Sequence, residues 1–242
     1  MRSGKEQRVT PTERFQRDCA AYHAKQGTRF RLEDGEGRML YDDGPSAQLD
    51  PHYFRMDIWA AKKVIDQNPA THTDIGSRID GFVAHLLSAR VPVTVIDIRP
   101  PPIQIEGLTF VQADATTLDG FSDNSVESLS ALHSLEHVGL GRYGDPIDPD
   151  GWEKALRSMA RVLAPGGRLY FAVPVGRERV CFNAHRIFNP LTVECTLNML
   201  TQMSFSVVDD AGQFHENVKS RDYHDLNYGC GMWEFVKPEE TP

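Results

Sequence analysis

From about residue 53 onward, the apolar positions of the chain alternate between two spacings. Phe54, Ile58, Ala61 and Ile65 recur at helical intervals, which predicts an amphipathic helix beginning near Tyr53 and ended by Asn68-Pro69. Short apolar runs bounded by turn residues then predict strands at Thr71–Ile75, Val93–Ile98, Leu108–Val111, Val126–Leu132, Arg168–Val173, Phe205–Val208 and Met232–Val236. Helices are expected between several of them: Ile79–Leu87, the segment marked by Trp152, Leu156, Met159 and Leu163, and Leu191–Leu200. Trp59 and Trp152 are assigned to the core. Strands alternating with helices imply βαβ units and a doubly wound, mostly parallel sheet.

Residues 1–52 read differently. Thr10–Lys25 suits a polar helix, and Arg29–Leu32 and Met39–Tyr41 flank Asp34-Gly35-Glu36-Gly37 as a hairpin would. With few large apolar residues, this stretch is expected to be a helical and hairpin appendage or lid to a domain spanning 53–242. Composition narrows the class. Of 242 residues 40% are apolar, enough for a real core, and the net charge of -8 argues against a nucleic-acid binder working by bulk electrostatics. Cys19, Cys181, Cys195 and Cys230 form no C-x-x-C pair, as expected of a reduced protein. Met1 to Phe15 is polar, and no apolar run is long enough to span a bilayer, so a soluble, cytoplasmic protein without membrane contact is expected. A homodimer is left open.

In an open parallel sheet, ligands sit beyond the carboxyl ends of the strands, so the residues that follow each strand carry the chemistry. After the first comes Asp74-Ile75-Gly76-Ser77-Arg78-Ile79-Asp80-Gly81. Gly76 permits a tight turn and close approach of a ligand, and Ser77 adds a hydroxyl at the start of the next helix. Asp97, followed by Ile98, lies about 20 residues on, where a ribose-binding carboxylate is expected. After the third strand, Asp114 can accept from an adenine amino group while the backbone of Ala115 reaches a ring nitrogen. Each of these aspartates also reads as an ordinary turn cap; together they outline a nucleoside on one sheet edge.

Three further segments carry a resemblance. They are Asp114-Ala115-x-x-Leu118-x-x-Phe121-Ser122-Asp123-Asn124-Ser125-Val126-Glu127, then Leu135-Glu136-His137-Val138, then Arg161-Val162-Leu163-Ala164-Pro165-Gly166-Gly167-Arg168-Leu169. The chain in this respect resembles the Rossmann-like (class I) S-adenosylmethionine-dependent methyltransferases, well over 71–175 and loosely over 53–236. Phe182-Asn183-Ala184-His185-Arg186-Ile187-Phe188 points to a bacterial branch of that superfamily. The resemblance implies a seven-stranded sheet with one antiparallel strand and S-adenosylmethionine as cofactor. It implies Asp74 and Gly76 under the methionine and ribose, Asp97 on the ribose hydroxyls, Asp114 with Ala115 at the adenine, and Leu132 to His137 beside the methyl donor. The family's usual D-x-G-x-G-x-G turn is altered, with Arg78 and Asp80 in place of the later glycines.

His133-Ser134-Leu135-Glu136-His137 also fits H-x-x-E-H, a zinc-protease pattern with Glu as general base. That chemistry needs a stable helix bearing both histidines, whereas a strand is expected to run straight into His133; no metal site is expected. His133 or His137 is instead a candidate to line an acceptor site and take its proton near neutral pH, against the plainer reading of loop residues hydrogen-bonded in the cleft. His185 and Arg186 form a second candidate pair, the arginine as a clamp for a carboxylate or phosphate, or as an ordinary surface ion-pair partner. Gly139–Asp150, with Tyr143 and Asp145, is a candidate lid, and Tyr53-Phe54 can pack on a bound cofactor or in the core. The expected activity is methylation, on O or N, of a small-molecule or saccharide acceptor. A catalytically degenerate binding protein on the same fold and an NAD-dependent oxidoreductase remain as alternatives; the latter should show G-x-G-x-x-G, where this chain has G-S-R-I-D-G.

Overall fold

The computed structural model of the chain describes residues 10–25, 39, 49–101 and 104–239. The chain divides into two units, Met1–Gln48 and Leu49–Pro242. In the first, α1 (Pro11–Lys25) opens with a capping box: the Glu13 amide donates to Thr10 Oγ1 at 3.2 Å, and the Thr10 amide donates to Glu13 Oε2 at 2.8 Å. The hairpin expected over 29–41 lies outside the described residues.

The second unit begins with α2 (Pro51–Gln67). Asp50 caps it by accepting from the amides of His52 and Tyr53, and Asn68 ends it in the left-handed conformation at φ 52°. Strands β1 (His72–Ile75), β2 (Val93–Asp97), β3 (Leu108–Gln112), β4 (Val126–Leu132), β5 (Leu163–Val175), β8 (Thr201–Val208), β9 (Phe214–His215) and β10 (Gly229–Val236) form one sheet in the order β3-β2-β1-β4-β5-β10-β8-β9. β1 to β5 are parallel, while β10 runs antiparallel between β5 and β8. The seven strands read from the sequence are all present. The eighth, two-residue β9 was not expected: it pairs only with the end of β8 and is too short to show a period of two. A separate hairpin, β6 (Arg179–Cys181) with β7 (His185–Ile187), was also missed, because its edges are exposed and polar.

Alternation along the sheet builds a core on each face. Leu169, Phe171 and Val173 pack on one side with α4 (Gly151–Val162) and α5 (Pro190–Thr196), burying Leu156, Met159 and Val193. Tyr170 and Ala172 point the other way, onto Trp59, Ala60 and Val64 of α2 and Leu86 of α3 (Ala84–Ser88). Trp59 is fully in this core, whereas Trp152 is half-buried against Phe188, with ring centroids 5.4 Å apart. The helix expected over Ile79–Leu87 is broken: Ile79–Val83 forms one wide turn, with Gly81 at φ -113° and ψ -110°, before α3. Strand order reverses between β1 and β4, and the site opens there.

Candidate active site

A cavity of about 800 Å³ lies beyond the carboxyl ends of β1 to β4, on the edge where a ligand is expected. Gly76, Ser77, Asp97, Ile98, Asp114 and Ala115 all line it, so the structure brings together six of the eight residues expected to hold a cofactor. Gly76 adopts φ +68°, and a Cβ there would stand 3.0 Å from Cβ of Ser134, so both the turn and the close approach require glycine.

The other two are corrected. Asp74 is fully buried and lies beneath the turn, not in the cavity: it accepts from the Ser77 amide (3.0 Å), the Ser77 hydroxyl (2.7 Å) and the Ser130 hydroxyl (2.5 Å). Burial pushes its carboxyl up to about 6 despite those donors. Below it the ring nitrogens of His72, also fully buried, lie 2.8 Å from the hydroxyls of Ser128 and Ser130. Asp74 is thus a positioning residue for the Gly76 turn. Leu132 is buried in the sheet, and its amide donates to Ser77 Oγ at 3.2 Å, so it supports the same turn from behind.

Arg78 and Asp80, standing where glycines are usual, pair with each other at 2.9 Å on the exposed surface, and Arg78 lies over the Tyr53 ring at 5.4 Å. Asp97 accepts from the amide of Arg99 at 2.8 Å and from its guanidinium at 3.2 Å; that guanidinium lies 4.0 Å from the ring centroid of Tyr143. Arg99 and Tyr143 therefore meet across the cavity mouth. Tyr143 is held there by Asp145, whose carboxylate accepts from the amides of Gly139, Gly141 and Tyr143. A Cβ on Gly139 would strike the Asp148 carbonyl oxygen at 1.9 Å, so the loop closes on itself tightly at this point.

Arg186 is also corrected. It is not among the residues lining the cavity, and its guanidinium donates to the carbonyls of Val138 (2.5 Å) and Pro149 (3.2 Å). A buried guanidinium that donates to backbone carbonyls of the loop braces that loop from behind and does not face the cavity. His185, next to it, does line the cavity.

β4 ends at His133, which takes the left-handed conformation at φ 51° and turns the chain into the cavity wall. Leu135–His137 form a single tight turn, so the pattern H-x-x-E-H lacks the helix that a zinc protease needs. Among the described residues no group of three or more His, Cys, Asp or Glu has the spacing to hold a metal ion. Burial lowers His133 to about 3 and His137 to about 4. Both line the cavity, and both are neutral imidazoles near pH 7. His137 Nδ1 lies 2.6 Å from the Ala184 carbonyl oxygen and so carries the hydrogen, leaving Nε2 turned toward Glu136 at 3.7 Å.

Glu136, in the sequence a member of the protease pattern and of the segment expected beside the methyl donor but given no role of its own, lines the cavity while fully buried, and burial raises its carboxyl to about 8. Tyr228, on the loop before β10, lines the same wall, and no local signal marked it. Its amide and that of Asn227 donate to Asp210 at 2.7 and 2.8 Å, which fixes the loop.

The family described as "Caenorhabditis protein of unknown function, DUF268" matches residues 114–223. "Methyltransferase GfsG" of Streptomyces halstedii is 30% identical over 124 residues, spanning 50% of this chain and only 40% of that protein. Two solved structures are similar over most of their length. One is the 1,6-didemethyltoxoflavin-N1-methyltransferase of Burkholderia thailandensis, with bound 1,6-didemethyltoxoflavin and S-adenosylhomocysteine. It has a TM-score of 0.54 and 19% identity, over 77% of this chain and 80% of that one. The other is the N-methyltransferase NodS of Bradyrhizobium japonicum with S-adenosylhomocysteine, at TM-score 0.54 and 18% identity, over 82% and 94%. With its sheet order, its antiparallel strand β10 beside β5 and its cavity at the β1–β4 reversal, the chain has the fold of the Rossmann-like (class I) S-adenosylmethionine-dependent methyltransferases.

Proposed function

We propose that the chain is an S-adenosylmethionine-dependent methyltransferase acting on a small-molecule acceptor. The observation that carries this reading is the convergence of Gly76, Asp97, Asp114 and Ala115, from three different strand ends, on one cavity of about 800 Å³. That volume suits a nucleoside cofactor with an acceptor beside it. The residues present fit the cofactor: Gly76, without a Cβ and at φ +68°, lines the cavity with its backbone, and Asp97 offers a carboxylate to the ribose hydroxyls.

When bound, S-adenosylmethionine supplies a methyl group activated by its positive sulfur. The chain's own part is to orient, to exclude water and to manage a proton. Asp74 and Ser77 hold the turn beneath the cofactor. Asp114, whose Oδ1 is already fixed by the amide and hydroxyl of Thr116 at 2.8 Å, faces the adenine end, and Arg99 with Tyr143 covers the mouth. The opposite wall, with Tyr53, Glu136, His185 and Tyr228, is left for the acceptor.

Calorimetric titration with S-adenosylmethionine, S-adenosylhomocysteine and NAD tests the reading. Micromolar binding of the first two with no heat from NAD is expected. Silence from all three would mean that the altered turn no longer holds the cofactor, and NAD binding alone would put the chain among the oxidoreductases.

A further inference from the structure

The acceptor wall combines aromatic and imidazole rings with one carboxyl group. Tyr53 and His133 have ring centroids 5.5 Å apart, and His185 and Tyr228 are 5.1 Å apart. Glu136 lies in the same wall at 1% exposure. Its Oε1 is 3.3 Å from His133 Nδ1 and 3.7 Å from His137 Nε2, whereas Oε2 is buried and has no hydrogen-bond partner among the described residues. Buried polar atoms are nearly always satisfied, so an orphaned carboxyl oxygen on a cavity wall calls for a donor from a ligand.

The groups facing Glu136 say what that donor is. His133 and His137 are neutral, and Tyr53, Tyr228 and Cys230, on the elements packed opposite, are held neutral by burial. The cations near this wall are engaged elsewhere: the Arg142 guanidinium donates to the Ala184 carbonyl at 2.8 Å, and Arg78, over the Tyr53 ring at 5.4 Å, pairs with Asp80 at 2.9 Å. The wall therefore offers aromatic faces and a carboxyl group with no counter-charge bonded to it. A carboxylate brings no hydrogen to the unpartnered oxygen, and an alcohol brings one without the positive charge that ring faces attract. A cation gains from both.

We propose that this wall is the acceptor subsite and that it takes a small organic amine, bound as its ammonium ion among the aromatic rings with an N–H group on Oε2 of Glu136. This rests on reading the cavity as a methyltransferase site. Near pH 7 the unliganded acid carries its proton, so the ammonium displaces it: Glu136–COOH and R–NH3+ become the ion pair Glu136–COO−/R–NH3+, with one H+ released to solvent. Within the pair the carboxylate can take a proton back, leaving Glu136–COOH and R–NH2 with a free lone pair on nitrogen.

The test is calorimetry at pH 7 with benzylamine and with benzyl alcohol, each in buffers of different ionisation enthalpy. Wild type should bind the amine at least tenfold more tightly than the alcohol and release close to one proton with the amine alone. Glu136→Gln should lose that preference and the proton release while keeping its affinity for S-adenosylhomocysteine within about threefold. Equal binding of amine and alcohol, or amine binding without proton release, would overturn the proposal on the wild-type protein alone, whether or not the variant folds. Loss of S-adenosylhomocysteine binding in a Glu136→Gln protein that still unfolds cooperatively in urea would overturn it too, because the carboxyl group would then serve the cofactor. If wild type binds no S-adenosylhomocysteine but still selects the amine, the methyltransferase reading fails and the amine subsite stands.

Discussion

Asp97→Ala removes the carboxylate expected to hold the ribose. In the structure that carboxylate is 20% exposed and is occupied by Arg99, through the backbone amide at 2.8 Å and the guanidinium at 3.2 Å. An exposed ion pair of this kind contributes about 0–1 kcal/mol, so the variant should unfold within about 1 kcal/mol of wild type. Ligand binding should respond much more. Hydrogen bonds to a charged acceptor are worth about 1.5–3 kcal/mol each, and two ribose hydroxyls share this one. Allowing for partial replacement by water, the loss is about 2–4 kcal/mol, or roughly 30- to 1,000-fold in Kd. Because the Arg99 guanidinium competes for the same oxygens, Arg99→Ala should leave Kd unchanged or lower it by a few-fold. The assay is titration of S-adenosylhomocysteine into wild type and both variants, with urea unfolding alongside. An Asp97→Ala protein of native stability that binds S-adenosylhomocysteine within threefold of wild type would refute the assignment of Asp97 to the ribose.

Three other outcomes follow from the geometry. Gly76→Ala places a methyl group 3.0 Å from Cβ of Ser134 on a φ of +68°, so about 1–2 kcal/mol of stability and at least tenfold in S-adenosylhomocysteine affinity should be lost, read by urea unfolding and calorimetry. Arg186→Ala leaves the Val138 and Pro149 carbonyls without their donor; unfolding free energy should fall by about 3 kcal/mol, and Arg186→Lys should not restore it because one ammonium cannot span both oxygens. Glu136 has a folded value near 8 against an ordinary 4.5, so the native state binds the extra proton between those limits, and wild-type stability falls as pH rises through that window. Glu136→Gln carries no such proton, so its stability relative to wild type should climb from pH 4.5 to 8 and then level off; a difference that is flat with pH would show that Glu136 is already ionised in the folded protein.

The architecture was legible from local pattern alone. Val126–Leu132 is a strand because every position but Glu127 is buried, and the helix marked by Trp152, Leu156 and Met159 turns its apolar stripe to the sheet, as its spacing required. The turn residues were equally plain: Asn68 at φ 52° and Gly76 at φ +68° do what their side chains, or lack of one, permit most cheaply. The residues beyond β1, β2 and β3 could be named because a parallel sheet puts successive strand ends on one edge, a property of topology that sequence order already contains.

Side-chain direction and burial were not contained there. Asp74 and Asp97 are both aspartates at strand ends, yet one points under the turn and the other into the cavity, since only the packed sheet decides which side of the strand end is solvent. Arg186 carries no mark that distinguishes an acceptor clamp from a brace; the carbonyls it meets come from residues 138 and 149, far away in the chain. The same holds for titration. His133, His137 and Glu136 have ordinary values in an open chain and move chiefly because the folded chain buries them away from water. Local propensity therefore determined the strands, helices and turns, and with them the edge on which a site could form. Long-range packing decided which polar groups on that edge stayed charged, which were spent on the protein itself, and which were left facing a ligand.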